Sequence, residues 1–244
     1  MGTVFSVHVH DPGDWSAALS RVVAFLHRVD RIFSTYQPGS QLSRLARREI
    51  RLHECAPAVA EVLALGTEVT RRSGGYFSAR YDGGLDPTGL VKGWAIERAS
   101  ALLTAAGARS HGVNGGGDMQ LVGGLGDGRP WRVGIAHPLR PRQMATVVSA
   151  YDVAVATSGS TERGCHVLNP RTGRPPQGLA SVTVTGPSIT FADAYATAAY
   201  AMGPAAQEWV SGLAGFEAFA VTDDGSCWST AGFPFADAAL SAAV

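Results

Sequence analysis

Ser181-Val182-Thr183-Val184-Thr185 runs through Gly186-Pro187-Ser188 into Phe191-Ala192-Asp193-Ala194-Tyr195-Ala196-Thr197. The first five residues are β-branched or small and alternate, which is the pattern of a strand. Gly and Pro then break the chain. The Ala-rich run that follows, Phe191 to Met202, reads as a helix. Within it Asp193 and Thr197 stand four residues apart, so a carboxylate and a hydroxyl share one face with roughly 6 Å between their Cβ atoms. Two hard oxygen donors fixed in this way suit a magnesium ion on a phosphate-bearing ligand. The spacing alone is common in helices, so its meaning depends on what surrounds it.

Working outward, the second half of the chain is rich in short strand candidates. They cover His111–Asn114, Met119–Val122, Trp131–Ala136, Thr146–Ala150, Ala154–Ser158 and His166–Leu168, separated by Gly and Pro turns. Beyond the Ala-rich helix come a helix at Ala205 to Leu213 and strands at Ala218–Val221 and Cys227–Ser229. The first half is mostly helical. A half-buried strand at Val4 to Val9 leads through Asp11-Pro12-Gly13-Asp14, with Asp14 a helix cap. Leu19, Val22, Leu26, Val29 and Phe33 then recur at helical spacing. A short helix is expected at Ser40 to Ala46, a longer one over Ala56 to Ser73, and a third starting near Lys92 and ending at Gly107. Tyr76 to Gly89 is Gly-rich and irregular. With no internal repeat and no linker-like stretch, residues 1–244 read as one α+β unit, or as two intimate lobes.

Composition narrows the function. The 244 residues carry a formal net charge of zero with only 16% charged residues. No basic field of the kind nucleic acid requires is present, so nucleic acid is not an expected partner. No apolar stretch reaches the length of a membrane span. The N-terminus shows neither a basic region followed by an apolar run nor a lipid-attachment cysteine, so a cytoplasmic location is expected unless a leader was removed. Cys55, Cys165 and Cys227 match no zinc spacing, and three thiols do not make a disulfide framework.

Three further polar knots accompany the Asp193/Thr197 pair. Asn114-Gly115-Gly116-Gly117-Asp118 lies between two strand candidates, where its glycines can adopt positive φ and approach a ligand. It is either a flavin or nucleotide contact or a tight strand-connecting turn. It is not a dinucleotide fingerprint, and no P-loop occurs. Lys92-Gly93 sits where the third helix is expected to begin, either a phosphate site or a surface lysine at a helix start. Ser158-Gly159 follows a strand, with His166 shortly after, a candidate proton shuttle. Ser158 lacks the first glycine of a nucleophile elbow. Tyr36 and Trp131 are aromatic candidates for stacking on a flat ring.

Taken in order, these knots resemble the FAD:protein FMN transferases, the ApbE family. The matching pieces are Met1-Gly2-Thr3, Phe33 to Leu45, Gly89-Leu90-Val91-Lys92-Gly93, and Asn114 to Asp118. They continue with Trp131 to Ile135 with Pro138, Thr157-Ser158-Gly159, His166 to Pro170 with Thr172-Gly173, and Asp193 to Thr197. The resemblance spans nearly the whole chain. It implies an α+β, T-fold-related unit of helices packed on mixed or antiparallel sheets. It also implies a reaction: FAD is cleaved at its pyrophosphate with Mg²⁺, FMN is joined to a Thr or Ser hydroxyl of a target flavoprotein, and AMP leaves. On that resemblance Asp193 and Thr197 hold the metal with a backbone carbonyl near Gly89, and His166 is the base. Tyr36, Ser40, Asn114, Gly116, Gly117, Asp118, Ser158 and Gly159 contact FAD. Lys92 either orders the metal loop or meets a phosphate.

The chain also departs from the family pattern. The stretch Gly74 to Asp86 is short, and the family's His-x-x-Asp-Pro is here His166-Val167-Leu168-Asn169-Pro170. The acceptor is expected to carry an S/D-G-A/S-T-like motif. Ser158-Gly159-Ser160-Thr161 itself resembles that motif, which raises self-modification at Thr161 beside the plainer reading of a Ser-Gly turn. The rival readings are an FAD pyrophosphatase releasing FMN and AMP, and a protein that binds FAD without turnover.

Overall fold

The computed structural model describes residues 3–81, 84–160 and 168–236. Its centre is a seven-stranded antiparallel sheet in the order β1-β4-β5-β8-β9-β10-β11. The strands are β1 (Phe5–Val9), β4 (His111–Gly115), β5 (Asp118–Val122), β8 (Val153–Gly159), β9 (Leu179–Gly186), β10 (Glu217–Thr222) and β11 (Cys227–Ser229). The helices are α1 (Ser16–Phe33), α2 (Gln41–Ala46), α3 (Pro57–Arg72), α4 (Thr88–Ala105), α5 (Ile189–Met202) and α6 (Ala206–Ser211). Two small antiparallel pairs stand apart, β2 (Arg80–Tyr81) with β3 (Gly84–Leu85), and β6 (Trp131–Ala136) with β7 (Met144–Ala150).

The central strands are buried on both faces, which is why β8, β9 and β10 read as near-continuous small and apolar runs. On β8, Ala154 and Ala156 face the main helical core, while Val153 and Val155 face a second core shared with Val133, Ile135 and Val148 of the β6–β7 pair. On β10, Ala218 and Ala220 take the helical side and Phe219 and Val221 the other. The helix-facing positions are small, and so are Ala192, Ala196 and Ala199 of α5. Small on small lets α5 lie close to the sheet.

Helix α5 is buried nearly all round, and α4 buries the unbroken run Gly93–Ile96, so neither shows a clean amphipathic stripe. They cross at Gly93, where a Cβ would stand 2.5 Å from the Ile189 carbonyl oxygen and 3.0 Å from the Asp193 Cβ. The rotation of α5 is fixed from its far side. Tyr195 is fully buried, packs edge-on to Trp209 and Phe216, and its hydroxyl meets Arg72 Nη1 at 3.1 Å. Residues two apart on a helix point to nearly opposite faces, so anchoring Tyr195 aims Asp193 and Thr197 the other way.

Helix α4 begins at Thr88, one turn before the expected start near Lys92. Pro87 precedes the first turn, and the Asp86 carboxylate accepts the Thr88 N–H at 3.0 Å, so the Asp-Pro pair starts the helix rather than ending a loop. The irregular stretch before it contains the β2–β3 hairpin. At α1, Asp14 accepts the Ser16 N–H at 2.9 Å. The expected strand at His166–Leu168 falls largely on residues 161–167, outside those described. Leu168 is not in a strand, and Asn169 forms an isolated bridge to Arg174.

Candidate functional site

Four pieces of chain converge at the α4–α5 crossing: the first turns of α4, the β4–β5 hairpin, the end of β8, and the middle of α5. The hairpin turn is the tightest kind. Gly115 pairs with Asp118, leaving only Gly116 and Gly117 between the strands, with φ of 66° and 100°. Two successive positive φ values are what a two-residue turn needs to match strand twist. Asn114 closes it by accepting the Gly117 N–H at 3.0 Å. The segment is therefore a strand-connecting turn in its backbone, and it delivers Asp118 inward.

Asp118 is fully buried. Its Oδ1 accepts the Thr157 N–H at 3.1 Å, just past the last β5–β8 pair at Met119 and Val155. Its Oδ2 is in direct contact with the Lys92 ammonium. The same ammonium lies 3.4 Å from Asp193 Oδ1, while Asp193 Oδ2 accepts the Gly93 N–H at 3.0 Å. Thr197 donates its hydroxyl to the Asp193 carbonyl at 3.1 Å and sits 3.5 Å from the Ser158 hydroxyl. The cluster thus holds two buried carboxylates, one ammonium and two neighbouring hydroxyls.

Burial is the largest influence on Asp193 and pushes its carboxyl up to about 7. The Lys92 charge and the Gly93 N–H pull the other way, and the neighbouring Asp118 pushes further up. Folded Asp193 therefore binds a proton more readily than the unfolded chain does. The sign follows from linkage: between its ordinary 3.8 and about 7, the folded state carries the extra proton, and stability falls as pH rises through that window. Metal-free protein is expected to lose urea resistance across that range. Asp193→Asn removes the titrating group, so the variant is expected to show a smaller loss. Equal slopes for the two proteins would contradict the assignment.

Of the residues singled out in the sequence, Lys92, Asn114, Gly116, Gly117, Asp118, Ser158, Gly159, Asp193 and Thr197 are gathered on these four pieces, and Gly89 lies in the first turn of α4. Lys92 is not a helix-start lysine but the fifth residue of α4, turned onto the two carboxylates. Ser40 is buried and its hydroxyl is committed: it caps α2 by accepting the Ser43 N–H at 3.0 Å and donates to the Ser34 carbonyl at 2.6 Å. Tyr36, four residues earlier, is 89% exposed. Trp131 is turned to the β-sheet side, with His10 edge-on at 5.1 Å. His166, Cys165 and Thr161 lie outside the described residues.

Sequence reading missed the residues that orient α5. Glu97 accepts from the Ser188 hydroxyl at 2.6 Å and from the Thr190 N–H at 2.9 Å. Gln120 accepts the Ile189 N–H at 3.0 Å. The only local signal was Ser188 itself, a good N-cap residue ahead of the helix; its partners lie roughly 70 to 90 positions away.

The donor set is oxygen only, which suits a hard divalent cation. Among the described residues no three His, Cys, Asp or Glu side chains gather as a metal cluster. Mg²⁺ commonly takes one or two protein carboxylates and completes its shell with waters and substrate phosphate oxygens. No helix among the described residues is long and apolar enough to cross a membrane.

The family model described as the ApbE family matches residues 1–83 and 78–220. Among curated proteins, a FAD:protein FMN transferase of Rhodobacter capsulatus is 37% identical over 157 residues, covering 60% of this chain and 29% of that protein. The FAD:protein FMN transferase of Escherichia coli K12 is 31% identical over 156 residues, covering 60% of this chain and 44% of that protein. The chain thus spans less than half the length of these curated relatives. Among solved structures, the flavin transferase ApbE from Vibrio cholerae aligns with a TM-score of 0.83 at 23% identity, over 96% of each chain. The Pseudomonas stutzeri flavinyl transferase ApbE, in its apo form, aligns with a TM-score of 0.80 at 24% identity, over 95% of this chain and 92% of that one. At these identities the likeness speaks for the fold, a mixed α+β unit built on antiparallel sheets.

Proposed function

The chain belongs to the ApbE family, and from that premise we propose that it is a magnesium-dependent FAD:protein FMN transferase. The observation that carries the reading is the Asp118–Lys92–Asp193 cluster beside the Thr197 and Ser158 hydroxyls. A carboxylate held this deep needs a cation beside it to stay charged. A phosphoryl-transfer site needs such a charge, and a site that merely stores a flavin does not.

In the proposed reaction a Thr or Ser hydroxyl of an acceptor flavoprotein attacks the FMN-side phosphorus of FAD. A new P–O bond joins FMN to the acceptor. The bond from that phosphorus to the bridging oxygen breaks, and AMP leaves with that oxygen. We assign the hydroxyl proton to His166. Asp193 and Thr197, with the Gly89 carbonyl, would hold Mg²⁺, which supplies charge stabilisation to the phosphoryl oxygens.

The remaining residues bind and orient. Asn114, Gly116, Gly117, Ser158 and Gly159 are assigned to FAD, with exposed Tyr36 free to cover a ring. Ser40 is assigned a supporting role, because its hydroxyl already caps α2 and ties the Ser34–Ser40 loop to itself. Asp118 is assigned to FAD with Asn114, Gly116 and Gly117, its carboxylate meeting Lys92 within the cluster. The acceptor motif is taken to be of the S/D-G-A/S-T kind.

Product analysis separates this reading from its rivals. Purified protein is incubated with FAD and Mg²⁺, with and without a small acceptor domain carrying Ser-Gly-Ala-Thr, and nucleotides are resolved by chromatography. A transferase releases AMP in step with acceptor and no free FMN. A pyrophosphatase releases equal AMP and FMN without acceptor. FAD left intact in every sample, with a family acceptor present, would overturn the proposal.

A further inference from the structure

We propose that the cavity between α1, the start of α3 and α4 is a second binding site, one for a small aromatic carboxylate. The Arg28 guanidinium would meet the carboxylate, and the apolar walls would take the ring.

The cavity measures about 270 Å³. The α1 face from Phe25 to Phe33 forms one wall, Ala56 to Ala58 at the start of α3 a second, and Trp94 of α4 a third. The Trp94 ring lies 5.9 Å from that of Phe25 and 5.8 Å from that of Phe33. The α3 wall offers only two alanines and a proline, none long enough to fill the space. Protein interiors otherwise close-pack, so side chains around such a gap lack partner atoms on one side, and a flat ring would supply them. An apolar cavity of about 150 Å³ takes up benzene, and drug-sized ligands occupy about 300 Å³ or more. This cavity falls between the two, the size for one or two fused rings.

The charge on its walls selects the ligand further. Arg28 is the one charged side chain lining the cavity. Its guanidinium stands 5.8 Å from the Phe25 ring centroid, and no carboxylate among the described residues pairs with it. The nearby acid Glu61 is already engaged: it accepts the Trp94 Nε1–H at 2.9 Å and is paired with Arg98. The walls therefore carry one unmatched positive charge beside aromatic surface. A guanidinium fork matches a carboxylate with two parallel N–H···O bonds. A neutral ring would leave that fork unused, and an alkyl acid would give up stacking on the aromatic walls.

The cavity is separate from the cluster assigned to the transfer reaction. Lys92 is turned onto the Asp118 and Asp193 carboxylates. Residues two apart on a helix point to nearly opposite faces, so Trp94 places the cavity on the other side of α4.

The probe is naphthoate, titrated calorimetrically into the full chain, with naphthamide as the uncharged control and thermal unfolding run alongside. Naphthoate should bind about tenfold more tightly than the amide, the scale of one hydrogen bond to a charged group. Arg28→Gln should abolish that preference and leave the amide's affinity as it was. Ala58→Phe should fill the cavity and remove binding of both. Arg28 is exposed, so its variant provides the test should Ala58→Phe fail to fold. Saturating FAD should leave naphthoate binding unchanged.

No uptake of naphthoate, equal affinity for acid and amide, a preference that survives Arg28→Gln, or binding that survives in folded Ala58→Phe would each overturn the proposal. Displacement by FAD would overturn it as well, because the cavity would then belong to the flavin site.

Discussion

Asp193→Asn is expected to lower FMN transfer on the order of 10²–10³-fold, the scale seen when one electrostatic contact to a developing charge is removed, while the protein stays folded. The substitution is nearly isosteric. The amide oxygen can still accept the Gly93 N–H that Asp193 Oδ2 now accepts at 3.0 Å. What is lost is the negative charge that would hold a cation beside the phosphoryl group. Folding should not suffer, because the buried carboxylate is itself costly at neutral pH, where it sits near its midpoint of about 7. Lys92 keeps Asp118 as its partner. The check is a comparison of AMP release and urea midpoint for the two proteins. Transfer within a few-fold of the parent, with the fold intact, would remove Asp193 from the metal site. Asp193→Ala would be a poorer probe, since it also leaves the Gly93 N–H without its acceptor.

Gly93→Ala is expected to damage fold and site together, with a loss of about 3 kcal/mol, the upper range for overpacking a filled core. Alanine is otherwise the better helix former by about 1 kcal/mol, so helix propensity alone predicts the opposite sign. The steric term decides it. The added methyl would lie 2.5 Å from the Ile189 carbonyl oxygen, 3.0 Å from the Asp193 Cβ and 3.1 Å from the Thr190 Cα. Two of these are backbone atoms that cannot rotate aside. Helices α4 and α5 would have to separate, and the Gly93 to Asp193 hydrogen bond would lengthen with them. Denaturant titration measures the stability loss, and Mn²⁺ binding reports the site. An alanine variant as stable as the parent would mean that the crossing is looser than these distances state.

The contrast between these two positions shows what the residues make legible one at a time. Asp193 and Thr197 were visible because an i, i+4 pair on a helix face is a local pattern, and the strand and helix flanking them were equally local. The two-residue turn at Gly116-Gly117 could be anticipated because only glycine tolerates its φ values comfortably. The meaning of Gly93 could not be read locally, since its neighbour Ile189 is almost a hundred residues away and no periodicity records the approach. Lys92 reads as a residue at the start of α4, a turn nearer the start than it lies, because Asp86-Pro87 reads as a loop until the Asp86 carboxylate is found capping Thr88. The two bonds that the Ser40 hydroxyl closes within its own loop leave no trace in the sequence beyond a serine ahead of a short helix. Burial of Asp118 was hidden for the same reason as Gly93: the strand β8 that covers it comes from a distant part of the chain.

The most direct measurement of the central claim is the intact mass of an acceptor domain carrying Ser-Gly-Ala-Thr after incubation with this protein, FAD and Mg²⁺. The account predicts an acceptor heavier by one FMN phosphoryl group, lost when the motif threonine is replaced by alanine and absent when the metal is chelated. An unmodified acceptor beside FAD that has been split to FMN and AMP, or beside FAD left whole, would contradict it.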